Sequence, residues 1–90
     1  MREIIRSSRF KADIKRIAGS GRHRPDDLFD TLERLINDEP LDSKHRDHAL
    51  TGDWSGCREL HIRPDWLLIY RLRPGVLELF RTGSHSELFG

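Results

Sequence analysis

An α+β fold, with a helical hairpin packed on a small antiparallel sheet in the order β-α-α-β-β-β, follows from three observations in this 90-residue sequence. The first half carries two apolar stripes at helical spacing. The second half carries an alternating run and a nearly continuous apolar run. Those later runs are separated only by the turn signals Pro64-Asp65 and Pro74-Gly75. Connections that short imply an antiparallel meander.

Arg2 to Arg6, with Ile4 and Ile5, is the first strand candidate. Ser7 and Ser8 then offer N-caps for a helix in which Phe10, Ile14, Ile17 and Ala18 share a face. Lys11, Lys15 and Arg16 lie on its other faces, and Gly19 and Gly21 end it. Pro25, Asp26 and Asp27 open the second helix, because proline suits the first helical position and carboxylates suit the positive end of the dipole. Leu28, Leu32, Leu35 and Ile36 form its stripe, and Pro40 closes it. Residues 37–53 have no clear period, and loops this long are often functional. Cys57 to Arg63 alternates, with Arg58, Leu60 and Ile62 on one face and Cys57, Glu59 and His61 on the other. Trp66 to Arg73 suits a central strand covered on both faces, and Val76 to Thr82 is the last strand. The place of the first strand in the sheet is left open.

Residues 1–90 fit one domain, since a chain this short supports one core and no second. Its apolar runs are too short to span a membrane, and no secretory signal opens it. The lone cysteine, Cys57, has no internal disulfide partner, which suits a reducing cytoplasm. Charge is uneven. Residues 1–25 hold eight Lys/Arg against two Asp/Glu, and residues 26–53 hold three against nine. The basic first quarter is either a solvated helix face or an attractor for an anionic partner such as nucleic acid or an acidic protein.

Several chemistries are excluded by what the sequence lacks: a Gly-rich phosphate loop, HExxH and CxxC. His45-x-x-His48 has no cysteine or carboxylate set to complete a metal site, so no metal or cofactor is expected. Cys57 and His61 share a strand face but lie ~13 Å apart, too far for a nucleophile pair. What remains are His48 in the long loop, His61, Asp65 in the turn, Arg81 at the end of the last strand, and His85 and Phe89 in the tail RTGSHSELFG. Imidazoles titrate near neutrality and can share acid and base roles, while a cation stabilises charge building on phosphorus. Each also has an ordinary reading. His48 can bond its own loop, His61 can be a surface histidine, Asp65 a turn residue, and Arg81 a partner of Glu59 or Glu78. Trp66 and Phe89 are either core residues or surfaces on which a base stacks. His23 and His45 are read as solvated.

The run DHALTGDWSGCRELHIRPDWLLIYRL, followed by LFRTGSHSELFG, resembles the YafQ branch of the RelE/ParE toxin superfamily. The resemblance is strong from Lys44 to Gly90 and looser before it. It implies a RelE-like fold and a cytoplasmic type II toxin. Such a toxin is a ribosome-dependent mRNA endoribonuclease cutting in the A site, with mRNA and 16S rRNA as RNA partners. A cognate antitoxin of the DinJ/RelB kind would hold it inactive. The resemblance also implies catalytic roles for His48, His61, Asp65 and His85, a phosphate-stabilising role for Arg81, and RNA contacts for Trp66 and Phe89. Lys11, Lys15 and Arg16 on the basic helix are further candidates to meet RNA or an acidic antitoxin segment. Two positions depart from the family: Cys57 where an aromatic residue is usual, and Ala49 where proline is common. A topoisomerase-inhibiting ParE-like binder and a catalytically degenerate antitoxin-binding module are the alternatives.

Overall fold

The computed structural model describes residues 2–90. Strand β1 (Glu3–Arg6) leads into helices α1 (Ser8–Ser20) and α2 (Pro25–Ile36). Strands β2 (His48–Ala49), β3 (Arg58–Arg63), β4 (Trp66–Arg73) and β5 (Val76–Gly83) follow, and a short helix α3 (His85–Phe89) ends the chain. One five-stranded sheet has the order β1-β5-β4-β3-β2. The strands joined by proline turns are antiparallel, and β1 adds to the far side of β5 in parallel. The α+β class and the order of the long elements are those expected from the sequence. The aperiodic stretch adds the two-residue β2, flanked by 3-10 turns at Ser43–His45 and Gly52–Trp54, and the tail adds α3.

Local chemistry sets the helix limits. The Ser7 hydroxyl accepts from the Phe10 amide at 3.0 Å and caps α1. Gly21, at φ 70°, ends that helix in the left-handed conformation that glycine adopts without steric cost. Pro25 opens α2 with Asp26 and Asp27 in its first turn. Phe10, Ile17, Leu28, Leu32 and Leu35 of the two helices pack on Leu60, Ile62, Trp66, Leu68, Tyr70, Leu77 and Leu79 of the sheet. Leu67 and Ile69 of β4 alternate onto the other face and are also buried, which is why this strand reads as continuously apolar.

A bulge in β5 sets up the site. Ile69 pairs with Arg81 while Tyr70 pairs with Leu79, so Phe80 is an extra residue in the ladder. Leu79 therefore stays on the helix side, and the strand end carrying Arg81 and Thr82 is re-aimed. Beyond Arg6, where β1 stops, the Ser7 amide donates to the Leu79 carbonyl at 3.0 Å, and side chains of the α1 segment complete the rest of the β5 edge. The Ser7 hydroxyl donates to the Phe80 carbonyl at 2.7 Å, and the Asp13 carboxylate accepts from the Thr82 amide at 3.1 Å. Because Leu68 is fully buried at the centre of this packing, Leu68→Ala should cost about 3 kcal/mol. A fall in the denaturant midpoint at unchanged m-value is the expected result.

Candidate active site

The site grows from two adjacent rows of the sheet. His48, Glu59, Ile69 and Arg81 lie directly opposite one another across β2, β3, β4 and β5. His61, Leu67 and Gly83 form the next row, and residues opposite one another share a face. Strands sit ~4.8 Å apart, so His61 and Gly83 are separated by roughly 10 Å of backbone. His85 follows Gly83 by two residues, and Asp65 stands exposed in the turn that ends the β3–β4 hairpin. The topology thus carries His48, His61, Asp65, Arg81 and His85 to one end of the sheet.

Backbone contacts orient two of the imidazoles. His48 Nδ1 lies 2.7 Å from the Arg46 carbonyl, and His61 Nδ1 lies 3.2 Å from the Pro64 carbonyl. A carbonyl only accepts, so each Nδ1 carries a proton and donates, which leaves each Nε2 free of that contact. The two Nε2 atoms face the same Glu59 Oε1, at 3.8 Å from His48 and 3.7 Å from His61. Glu59 is 3% exposed, so these imidazoles flank a buried carboxylate. Sequence alternation places Glu59 beside His61 but assigns it no role; the pairing with His48 through β2 is what brings out its position. The loop before His48 is pinned by Asp47, which accepts from the Tyr70 hydroxyl at 2.7 Å and from Arg58 at 3.1 Å. Burial, followed by the Asp47 contact, pushes the Tyr70 phenol upward, so it stays a donor.

Across the sheet, Arg81 pairs with neither Glu59 nor Glu78. Its Nε and Nη2 donate to Asp13 of α1 at 2.7 and 3.0 Å. Burial acts to raise the Asp13 pKa, but the Arg81 and Arg16 bonds and the Thr82 amide outweigh it and hold the carboxylate below its ordinary range. The same fork raises Arg81. Sequence reading passed over Asp13, whose signal is an acid on the apolar stripe of a basic helix, between Phe10 and Ile17. Beyond β5, the Ser84 hydroxyl and the Glu87 carboxylate form a reciprocal capping box that starts α3. His85 and Phe89 extend from this helix, with their rings 5.1 Å apart and both residues exposed.

Several expected roles are corrected by placement. Trp66 is 0% exposed on the helix side of β4, donates Nε1 to the Thr82 hydroxyl at 2.8 Å and stacks on His23 at 4.6 Å. It offers no open face to a base; a fully apolar strand does not reveal in sequence which of its residues face the helices. Arg16 donates to Asp13 at 2.8 Å and pairs with Glu87 at 3.0 Å while its side chain stays 42% exposed, so its charge is shared with two carboxylates at the surface. Lys11 and Lys15 remain exposed on α1. Neither His23 nor His45 is simply solvated: His23 lies on Trp66, and His45 Nδ1 donates to the His61 carbonyl at 2.6 Å. Cys57 is buried and its thiol is pushed up by that burial, the reverse of what a nucleophile requires.

A small mixed sheet with a helical hairpin on one face is the RelE-like architecture. The family model for the "Bacterial toxin of type II toxin-antitoxin system, YafQ" matches residues 2–90. The mRNA interferase toxin YafQ of Escherichia coli K12 is 38% identical over 91 residues, covering 99% of this chain and 97% of that protein. The crystal structure of YafQ from E. coli BL21(DE3) has a TM-score of 0.89 at 37% identity, with 100% of both chains covered. A chain of the E. coli DinJ-YafQ complex has a TM-score of 0.88 at 38% identity, again with 100% of both chains covered. The protein belongs to the YafQ family of type II toxins.

The Asp13 contacts predict an acid limb in stability. A carboxylate whose folded pKa is depressed stabilises the fold above its unfolded pKa, and this is lost as pH falls through the folded value. Unfolding free energy should therefore fall as pH drops below the ordinary carboxylate range of about 4. Asp13→Asn should be less stable at neutral pH and should show a shallower fall there. Denaturant titrations at stepped pH measure both.

Proposed function

We propose that this toxin is an mRNA interferase that cuts mRNA in the ribosomal A site by acid–base catalysis with no metal. The observation that carries the reading is the pair of sheet rows in which His48, Glu59 and His61 face Arg81, Gly83 and the start of α3. That spacing of roughly 10 Å leaves room for a phosphodiester between two sets of titratable groups. In RNA cleavage a base takes the 2′-hydroxyl proton, the 2′-oxygen attacks phosphorus, and the bond to the 5′-oxygen breaks as an acid protonates it. RNA supplies its own nucleophile, so the protein has only to move protons and stabilise charge. His85 is the general acid, Asp65 the base or its partner, and His48 and His61 position and tune the site. The Nη1 of Arg81 is not used by the Asp13 fork and is directed to the phosphate. Phe89 is the aromatic surface for a base.

Likeness to the E. coli mRNA interferase toxin, and to a chain crystallised in the DinJ-YafQ complex, supports a translation-blocking nuclease with an antitoxin partner of the DinJ kind. Lys11 and Lys15 are cations that 16S rRNA or an acidic antitoxin segment would meet, a contribution chiefly to association rate and selectivity.

Cleavage of a short mRNA on programmed ribosomes tests the proposal. The wild-type protein should cut within the A-site codon, and His85→Ala should reduce the rate at least ~100-fold with the melting curve unchanged. Inhibition of gyrase supercoiling with no ribosomal cleavage would replace this reading by the topoisomerase one. Removing Glu87 to Gly90 takes away Phe89 and half of the capping box. This truncation should fold, because α3 buries no residue, and should cut at under a tenth of the wild-type rate; full activity would return Phe89 to a packing role.

A further inference from the structure

We propose that Asp13 is a positioning residue for both halves of the cleavage machinery on the β5 side, an inference that rests on the nuclease reading above. Asp13 is buried on α1 and does not face the histidine cluster, so it acts through other groups. One arm is the fork to Arg81, with Nε and Nη2 both spent on Asp13 at 2.7 and 3.0 Å. Two parallel bonds fix the plane of the guanidinium as well as its place, which a single bond would not do. The second arm runs from Asp13 Oδ1 to Arg16 Nη1 at 2.8 Å, and from Arg16 Nε to Glu87 Oε2 at 3.0 Å. Glu87 belongs to the capping box of the helix that carries His85 and Phe89. A third contact, from the Thr82 amide at 3.1 Å, registers the carboxylate against the strand itself.

Gly83 shows how closely the second arm is packed. A Cβ there would meet Arg16 Nη2 at 2.8 Å and Glu87 Oε1 at 3.1 Å, so the ion pair lies directly on the backbone between Arg81 and His85. One carboxylate therefore sets the orientation of the phosphate-stabilising cation and the approach of the general acid. Two cations on one anion leave a net positive charge at the seam, and Glu87 balances it on the α3 side alone. In this geometry Arg81 keeps Nη1 for the substrate while being held rigidly from behind, which is the preorganisation that charge stabilisation requires.

The test is a double-mutant cycle read by ribosomal cleavage, with thermal melts alongside. Asp13→Asn should lower kcat about 10- to 100-fold with KM nearly unchanged. In an Arg81→Ala background the same change should cost no more than about 3-fold, since much of its effect passes through the lost side chain. A merely structural role would give multiplying losses that track the fall in melting temperature. Multiplying losses, or a D13N protein that cuts at the wild-type rate, would overturn the proposal. Should D13N fail to fold, Arg16→Gln decides, because it breaks the arm to Glu87 and leaves the Arg81 fork in place. A fall in kcat of about 5-fold at constant KM supports positioning; a rise in KM alone marks Arg16 as an RNA contact and overturns the second arm. Absence of cleavage by the wild-type protein would instead defeat the nuclease reading, a separate outcome from any of these.

Discussion

The Asp13 carboxylate is the interaction on which the arrangement of this toxin depends. A buried anion is costly unless its oxygens are matched by donors, and removing a partner leaves the charge uncompensated. Here Arg81, Arg16 and the Thr82 amide all converge on it. The arrangement also solves a backbone problem. Strand β1 ends at Arg6 opposite Leu79, so the last residues of β5 lie at an open edge with unpaired amides. Asp13 accepts from the Thr82 amide, and the Arg16 guanidinium donates to the Thr82 carbonyl at 3.3 Å, so a helix takes over the ladder where the strand stops. The same contacts that close the sheet hold the residues at its end.

The other half of the site is built by a different device. There the fixed points are carbonyls, one from Arg46 and one from Pro64, each taking the Nδ1 proton of a histidine. These bonds orient both rings so that their Nε2 atoms lie 3.8 and 3.7 Å from Glu59 Oε1. A third histidine, His45, donates to the His61 carbonyl and so ties the 3-10 turn of the long loop to β3. On the β5 side ion pairs to Asp13 do the holding; on the β3 side the Arg58–Asp47 pair fixes the loop, and backbone carbonyls orient the imidazoles.

What was legible in the sequence follows from what is local. The β3–β4–β5 meander could be read because Pro64-Asp65 and Pro74-Gly75 fix the turns and the periods between them are clean. The helices could be read because their caps and stripes agree. The path of β1 could not, since its parallel pairing with β5 spans most of the chain and leaves no local signature. The site was legible only in part for the same reason. His48, His61 and His85 are visible as unusual residues at element ends, but Glu59 gains meaning only when β2 places His48 beside it. The family resemblance points Trp66 to RNA, and the basic helix points Arg16 to an anionic partner. Burial against His23 and capture by Asp13 are contacts between residues far apart or on one helix face, and neither changes the local pattern.

Helix α3 shows why the tail cannot be understood by itself. A five-residue helix lies far below the length at which helices are stable alone in water. Its order must come from the ends: the Ser84 capping box, and the pair between Arg16 and Glu87. Both partners of that pair are about 42% exposed in their side chains, so solvent screening limits it to at most about 1 kcal/mol. The tail is therefore at the low-stability end of the molecule, joined to a rigid seam by contacts that open readily. On the proposed nuclease reading, that combination holds His85 and Phe89 near the cleavage site while leaving the helix able to adjust to RNA. The ordering of the last residues is a property of α1 as much as of the tail, because Glu87 pairs with Arg16, which Asp13 and the Thr82 carbonyl also hold.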